Sequence, residues 1–455
     1  MVVQAYATPL LITFDGHLYI DHARALFSDR FWTDWDFLRT PLYPLYLRLG
    51  FEIGGITPAA ITAVNTAALI AGLLALGGAA SRVSGSWSTG AITVVWCLLC
   101  PVIGVYQSVA LSELGTFFHL SLILLGYALL RGQTRSLVAA FILGGIVALG
   151  YYYRPTVIMA APLVSVAMLV DTRWWPMHST PRFRYRLTIS ALCPVTALLF
   201  ALPWMLLPQT GPRADAQGWF AIVNQALIDP SDPRLGAVRD RYRAAIQESP
   251  PGDTLPVAGL PISGVRDHLI YGLQGDVAAA FASPASRILF EHVLQSPSRY
   301  AAGVFRSLLT VLSWPAPETD SYRFMAQVTA RMPSQQLVDP GPPHLEAYTR
   351  AHFSQEISPP WQRAFWERIT PLTHWILSLG FLASIWIFIL GWVNRDGLLV
   401  LAGTIPLGFL GFHSAILFGL DRMGVPAYPL LLLNLSLVLQ YLGGKIRQGQ
   451  ALSLV

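Results

Sequence analysis

Five ionisable side chains stand where this chain enters or leaves long apolar runs: Asp15, Arg39, Glu113, Arg154 and Arg422. A carboxylate partly withdrawn from water gains basicity and can take a proton from a hydroxyl. An arginine holds an anion, phosphate above all, through a planar fork that never loses its charge. Two acids and three arginines gathered at one depth would therefore make a site for an anionic substrate. The alternative for each residue alone is a helix cap for Asp15 and snorkelling at a bilayer edge for the others.

Their local contexts differ. Asp15 opens the stretch Asp15-Gly16-His17-Leu18-Tyr19-Ile20-Asp21-His22, in which Asp15 and Tyr19 share a face of a short helix. An aromatic-rich turn follows, and then Arg39-Thr40-Pro41-Leu42-Tyr43-Pro44. Glu113 begins an apolar run in Ser112-Glu113-Leu114. Arg154 follows three tyrosines in Tyr151-Tyr152-Tyr153-Arg154-Pro155. Arg422 lies in Asp421-Arg422-Met423-Gly424-Val425-Pro426-Ala427-Tyr428-Pro429. Charged residues near a membrane interior are costly and often functional.

The elements that must position these groups are set by composition. The chain is 54% apolar and only 12% charged, and its mean hydropathy is +0.50. A soluble chain of this size has too few charges to cover so much apolar surface. Apolar runs long enough to cross a bilayer as helices fall near 58–80, 89–107, 113–131, 137–153, 155–171, 187–207, 371–393, 398–418 and 424–443. A short run at 1–14 reads either as a tilted, frayed first helix or, by preference, as the remainder of a longer one. The expected fold is an all-α polytopic membrane protein with about ten transmembrane helices.

The net charge of +5 comes almost wholly from arginine, Lys445 being the one lysine. These charges sit between apolar runs, so they are topology signals and not a nucleic-acid footprint. Arg82, Arg131 with Arg135, Arg173 to Arg186, Arg395, and Lys445 with Arg447 occupy alternate loops, which places those loops and both termini in the cytoplasm. The loops 15–56, 107–113, 151–155, 208–369 and 418–424 then face outward. All five ionisable residues lie on that side, in a topology derived without them. Residues 1–207 form an N-terminal membrane module with a first outer loop at 15–56 that bears amphipathic helices. A mostly helical extracytoplasmic region spans 208–369, with amphipathic segments at 235–247 and 360–368 and an interfacial helix at 300–312. Residues 370–455 supply the last membrane helices. Cys97, Cys100 and Cys193 read as small apolar core residues.

Asp-x-x-x-Tyr at Asp15 and Tyr19, Ala-x-x-Leu/Phe at Ala23, and Arg-x-Pro-x-Tyr-Pro at Arg39 resemble the first outer loop of GT-C glycosyltransferases. The nearest group is the protein mannosyltransferase and aminoarabinose transferase superfamily. The resemblance continues through Pro101 to Glu113, Arg154-Pro155, and Arg-x-x-x-Pro-x-x-Pro at Arg422, Pro426 and Pro429. It implies transfer of a sugar from a polyprenyl-phosphate donor to an acceptor hydroxyl on a glycan, lipid or protein. Transfer would invert the anomer on the extracytoplasmic face of a bacterial or archaeal plasma membrane. Asp15 would be the base, Arg154, Arg422 and Arg39 the phosphate ligands, and Tyr19, Tyr43 and Tyr428 stacking groups. Glu113 would hold the acceptor, orient an arginine, or share a divalent cation with Asp15; two carboxylates are too few to assign a metal. The chain departs from the group at Gly16, where a second acid is usual, at Leu18, and in having no outer lysine. Rival readings are a lipid-linked glycan ligase or polymerase and a secondary transporter, the latter disfavoured because the charges cluster at one edge.

Overall fold

The computed structural model of the chain describes residues 14–31, 39–132, 136–175, 183–207, 256–257, 260–261, 290, 293–312, 360–417 and 424–447. The short apolar run at 1–13, the segment 235–247 and Arg422 lie outside them, as does the side chain of Asp15. Helices dominate: α1 (Phe14–Ala25), α2 (Leu42–Gly54), α3 (Pro58–Ser84), α4 (Trp87–Leu99), α5 (Pro101–Tyr106), α6 (Glu113–Leu130) and α7 (Ser136–Tyr153). A 3-10 turn, Pro155–Met159, leads into α8 (Ala160–Val170), followed by α9 (Phe183–Met205), α10 (Pro297–Leu312), α11 (Pro360–Val393), α12 (Gly397–Phe412) and α13 (Tyr428–Arg447). A two-residue antiparallel pair joins Pro256–Val257 to Leu260–Pro261.

Seven described helices are long and apolar enough to cross a membrane, and Trp87–Leu99 and Pro155–Val170 are shorter apolar helices. The chain is a multi-pass membrane protein. Side chains such as Leu74, Phe141, Leu199 and Leu382 are exposed on the bundle's flanks, as lipid-facing surface requires.

Two expected spans are shaped differently from the sequence reading. The run 89–107 is broken at Cys100, which is extended (φ −74°, ψ 118°) because Pro101 crowds the preceding residue out of the helical region. Pro155 acts in the same way on Arg154 (φ −152°, ψ 123°), so the chain turns between α7 and α8 with Arg154 at the corner. The segment 360–368 is not separate, since α11 runs on without a break for 34 residues; the boundary expected at 370 falls within it. The segment expected as an interfacial helix at 300–312 is the C-terminal part of α10.

Inside the bundle, small residues and buried amides hold helices together. A Cβ on Gly403 would lie 2.7 Å from the Ser384 carbonyl oxygen, so α12 approaches α11 at backbone distance. Asn434 Nδ2 bonds Ser384 Oγ (2.8 Å) and the Ala402 carbonyl (2.9 Å), tying α13 to both. Such interhelical bonds contribute about 0.6 kcal/mol each. Cys97 and Cys193 are fully buried among these core residues.

The two ends of the bundle differ chemically. Helices α3 and α6 run side by side in the same direction, Gly72 lying against Phe117 and Gly78 against Leu125, so Arg82 and Arg131 share an end. At that end Arg131 pairs with Asp396 at 2.8 Å and Arg173 with the same carboxylate at 3.7 Å. The Thr172 amide bonds the Arg395 carbonyl (3.3 Å), and Tyr127 donates to Asp171 (3.2 Å). The segments that carry Arg131, Arg173 and Arg395 thus meet at this end. Asp396 also caps α12, accepting from Leu398 and Leu399 at 3.0 and 3.4 Å. Asp396→Ala is therefore expected to lower stability by about 1–2 kcal/mol. Asp396→Asn, which keeps a capping oxygen, should lose less than half of that in thermal unfolding of the detergent-solubilised protein.

Candidate active site

The opposite end of α3 and α6 collects the residues with chemical potential. Glu113 is the first residue of α6, where the helix dipole favours a carboxylate. Arg154 reaches it from the corner made by Pro155, Nη1 to Oε1 at 3.2 Å, and the two side chains are only 11% and 3% exposed. Sequence reading named both residues but not their pairing. Glu113 Oε2 has no hydrogen-bond partner among the described residues, so half of a buried carboxylate is left to receive something else.

The first outer loop is packed onto this pair. Helices α1 and α2 bury Ile20, Tyr43, Leu47 and Phe51 against Ile61, Ala110 and Tyr153. Their tyrosines form a ladder: Arg39 lies over the Tyr19 ring at 5.7 Å, Tyr19 meets Tyr43 edge-on at 4.9 Å, and Tyr43 meets Tyr153 at 5.6 Å. The Tyr19 hydroxyl shares a 3.4 Å hydrogen bond with Ser112, next to Glu113. Burial first, then the neighbouring Tyr19 and Glu113, push the Tyr43 phenol well above its ordinary value, so it stays protonated at any physiological pH. Tyr153 fits because residue 115 is glycine; a Cβ there would lie 1.9 Å from the phenol ring. His119, one turn further along α6, has Nδ1 2.7 Å from the Gly115 carbonyl. A carbonyl only accepts, so Nδ1 carries the proton, and the ring packs on Tyr153 at 4.9 Å.

Residues 107–112, which lead into Glu113, are almost wholly buried. An irregular buried segment must have its backbone groups satisfied, and Asn65 on α3 does this. Its Nδ2 donates to the carbonyls of Val109 (2.7 Å) and Gln107 (3.3 Å), while its Oδ1 accepts from Tyr43 (3.3 Å). A single amide thus links the first outer loop to the loop that positions Glu113. Asn65→Leu is expected to destabilise the protein by about 2–4 kcal/mol, because it strands two carbonyls and a phenol. Asn65→Asp, though isosteric, should be at least as damaging, since it replaces the donor with a negative charge facing carbonyl oxygens. Thermal unfolding of the two variants beside wild type checks the order; a harmless Asn65→Asp would mean that this amide does not hold the loop.

Of the residues named from the sequence, Tyr19, Arg39, Tyr43, Glu113 and Arg154 come together here. Tyr428 is fully buried and its hydroxyl donates to the Val311 carbonyl, fastening α13 to the end of α10. Arg422 and the Asp15 carboxylate lie outside the described residues; the Asp15 backbone sits in the first turn of α1. Asn65, Gln107 and His119 were not foreseen. The available signal was a lone polar residue within or beside an apolar run. Among the described residues no three His, Cys, Asp or Glu side chains converge on a point that would suit a metal ion.

No protein-family profile and no curated protein matches the chain. Among solved structures it is similar to the crystal structure of ArnT from Cupriavidus metallidurans bound to undecaprenyl phosphate. The identity is 15% and the TM-score 0.37, with 98% of this chain and 76% of that chain covered.

Proposed function

We propose that this chain is a glycosyltransferase that moves a sugar from a polyprenyl-phosphate donor to an acceptor hydroxyl, with its site facing the exterior of the cell membrane. The observation that carries this reading is the buried Glu113–Arg154 pair. It lies under the tyrosine ladder of the first loop, at the bundle end away from Arg82, Arg131 and Arg173. The motifs that resemble GT-C enzymes supply the same residues in the same order along the chain.

In this reading Arg154 serves as the phosphate ligand and Glu113 fixes the direction of its guanidinium. Arg422 and Arg39 are further candidates for the phosphate. Asp15 takes the proton of the acceptor hydroxyl as its oxygen attacks the anomeric carbon. The bond from that carbon to the phosphate oxygen breaks, and its electron pair departs with the polyprenyl phosphate. One displacement at carbon inverts the anomer. Arginine beside the departing oxygen is worth most in a water-poor site, where charge is poorly screened. Tyr19, which is only partly buried, presents a ring against which sugar or prenyl chain can pack, and the fully buried Tyr43 supports it from behind.

The test is sugar transfer in membranes from a panel of radiolabelled polyprenyl-phosphate sugars, with wild type and Asp15→Asn at matched expression. Transfer from one donor by wild type, lost in Asp15→Asn, is the expected result. Undiminished transfer by Asp15→Asn would remove Asp15 as the base. Failure of every donor, with binding of pyrophosphate-linked glycans instead, would favour the ligase reading.

A further inference from the structure

One wall of the site holds a buried residue that the mechanism above does not use. Helix α12 ends in a π-helical turn, His413–Leu417. Single π turns within α-helices widen the backbone locally and occur often at functional sites. His413 is fully buried there, its ring between Phe409 and Phe412 with centroids 4.5 and 6.0 Å away. Neither phenyl ring can satisfy an imidazole nitrogen, and neither His413 nitrogen has a hydrogen-bond partner among the described residues.

The direction in which the ring looks is informative. Helix α12 packs against α6 and against the 3-10 turn that follows Arg154. Gly397 lies against Ala167, and Gly408 against Met159 and Leu163, so α12 runs antiparallel to that segment and His413 stands at the level of Arg154. From the other side α10 lies across the π turn, the Tyr300 hydroxyl donating to the Ala415 carbonyl at 2.6 Å. A buried imidazole with neither nitrogen bonded among the described residues, set at the level of a largely buried arginine, is an unfavourable arrangement for a purely structural core. An anion between the two would resolve it, since phosphate oxygens accept from a guanidinium and from a ring N–H alike.

We propose that His413 is a ligand-binding residue of this site, donating a ring N–H to the phosphate that Arg154 also holds, with α10 as the cover over that subsite. The assignment rests on the polyprenyl-phosphate reading and adds to it a binding group from the C-terminal membrane helices. Donor binding thereby requires α12 to be seated against α6 and the 3-10 turn after Arg154, and not only the N-terminal half of the chain.

The experiment is direct binding of undecaprenyl phosphate to the full-length protein in detergent, for wild type, His413→Gln, His413→Phe and Arg154→Ala, with ligand-free thermal unfolding of each. His413→Phe is expected to bind about 10- to 100-fold more weakly, the loss of one hydrogen bond to a charged group. His413→Gln, which keeps an N–H donor, should recover most of that. The ligand-free melting temperature of His413→Phe should stay level or rise, because two unbonded polar atoms leave the interior. A structural role predicts the opposite, a lower melting temperature with affinity unchanged, and that result would overturn the assignment. If wild type binds, Arg154→Ala does not, and His413→Phe binds as wild type does, His413 alone is removed from the site. If wild type itself does not bind undecaprenyl phosphate, the polyprenyl-phosphate reading falls and the His413 assignment falls with it.

Discussion

Arg154→Ala is expected to abolish sugar transfer and to cost the protein about 3–5 kcal/mol of stability, the usual penalty for removing one partner of a buried ion pair. The Glu113 carboxylate is 3% exposed, so little water can replace the lost guanidinium. The double variant Glu113→Gln/Arg154→Met separates the two effects. Removing both charges leaves no uncompensated ion, and buried pairs replaced by neutral groups are often as stable as the original. Thermal unfolding should therefore recover most of the loss, while transfer stays absent. Recovery of transfer together with stability would make the pair a structural clamp and nothing more.

Glu113→Gln gives a different signature. Gln keeps the size of the side chain and one oxygen for Arg154, but it removes the charge that aims the guanidinium and any basicity of Oε2. Turnover is expected to fall by about 100-fold, the scale on which small misplacements or the loss of a proton acceptor act. Apparent affinity for the donor should hold or tighten, because an arginine without its internal carboxylate is a better partner for the substrate's phosphate. Steady-state kinetics on the donor identified by the panel read both quantities. A raised KM with unchanged kcat would show that Glu113 contributes equally to ground state and transition state, which is contrary to the role given to it here.

Much of this architecture was legible in the sequence because bilayer thickness is a hard constraint. An apolar run of some 20 residues has few options, and the arginine loops at Arg82, Arg131 and Arg173 do share one end of the bundle. Glu113 and Arg154 were visible singly, as charges at the edges of apolar runs. Their pairing was not, because it depends on the corner that Pro155 forces and on how α7 packs against α6. Asn65 and His413 were overlooked for a related reason: one polar residue hardly changes the hydropathy of a long run, and the segments packed around it lie far away in sequence. The Tyr428 hydroxyl shows the converse. A tyrosine at a span edge suggests a ligand contact, yet its bond to Val311 depends on where α10 lands, which local sequence does not specify. The break at Cys100 was written in Pro101, and the mean hydropathy of 89–107 concealed it.

Of the two charged ends of the bundle, the one holding Glu113 and Arg154 is expected to receive the lipid phosphate. Photo-crosslinking of the full-length protein with a polyprenyl phosphate carrying a diazirine beside the phosphate, followed by peptide mapping, tests that directly. The label is predicted in peptides containing Tyr106 to His119, Arg154, or His413, and it should be displaced by unlabelled undecaprenyl phosphate and lost in Arg154→Ala. Displaceable label confined to peptides around Arg131, Arg173 and Asp396 would put the phosphate at the other end and contradict the proposed site.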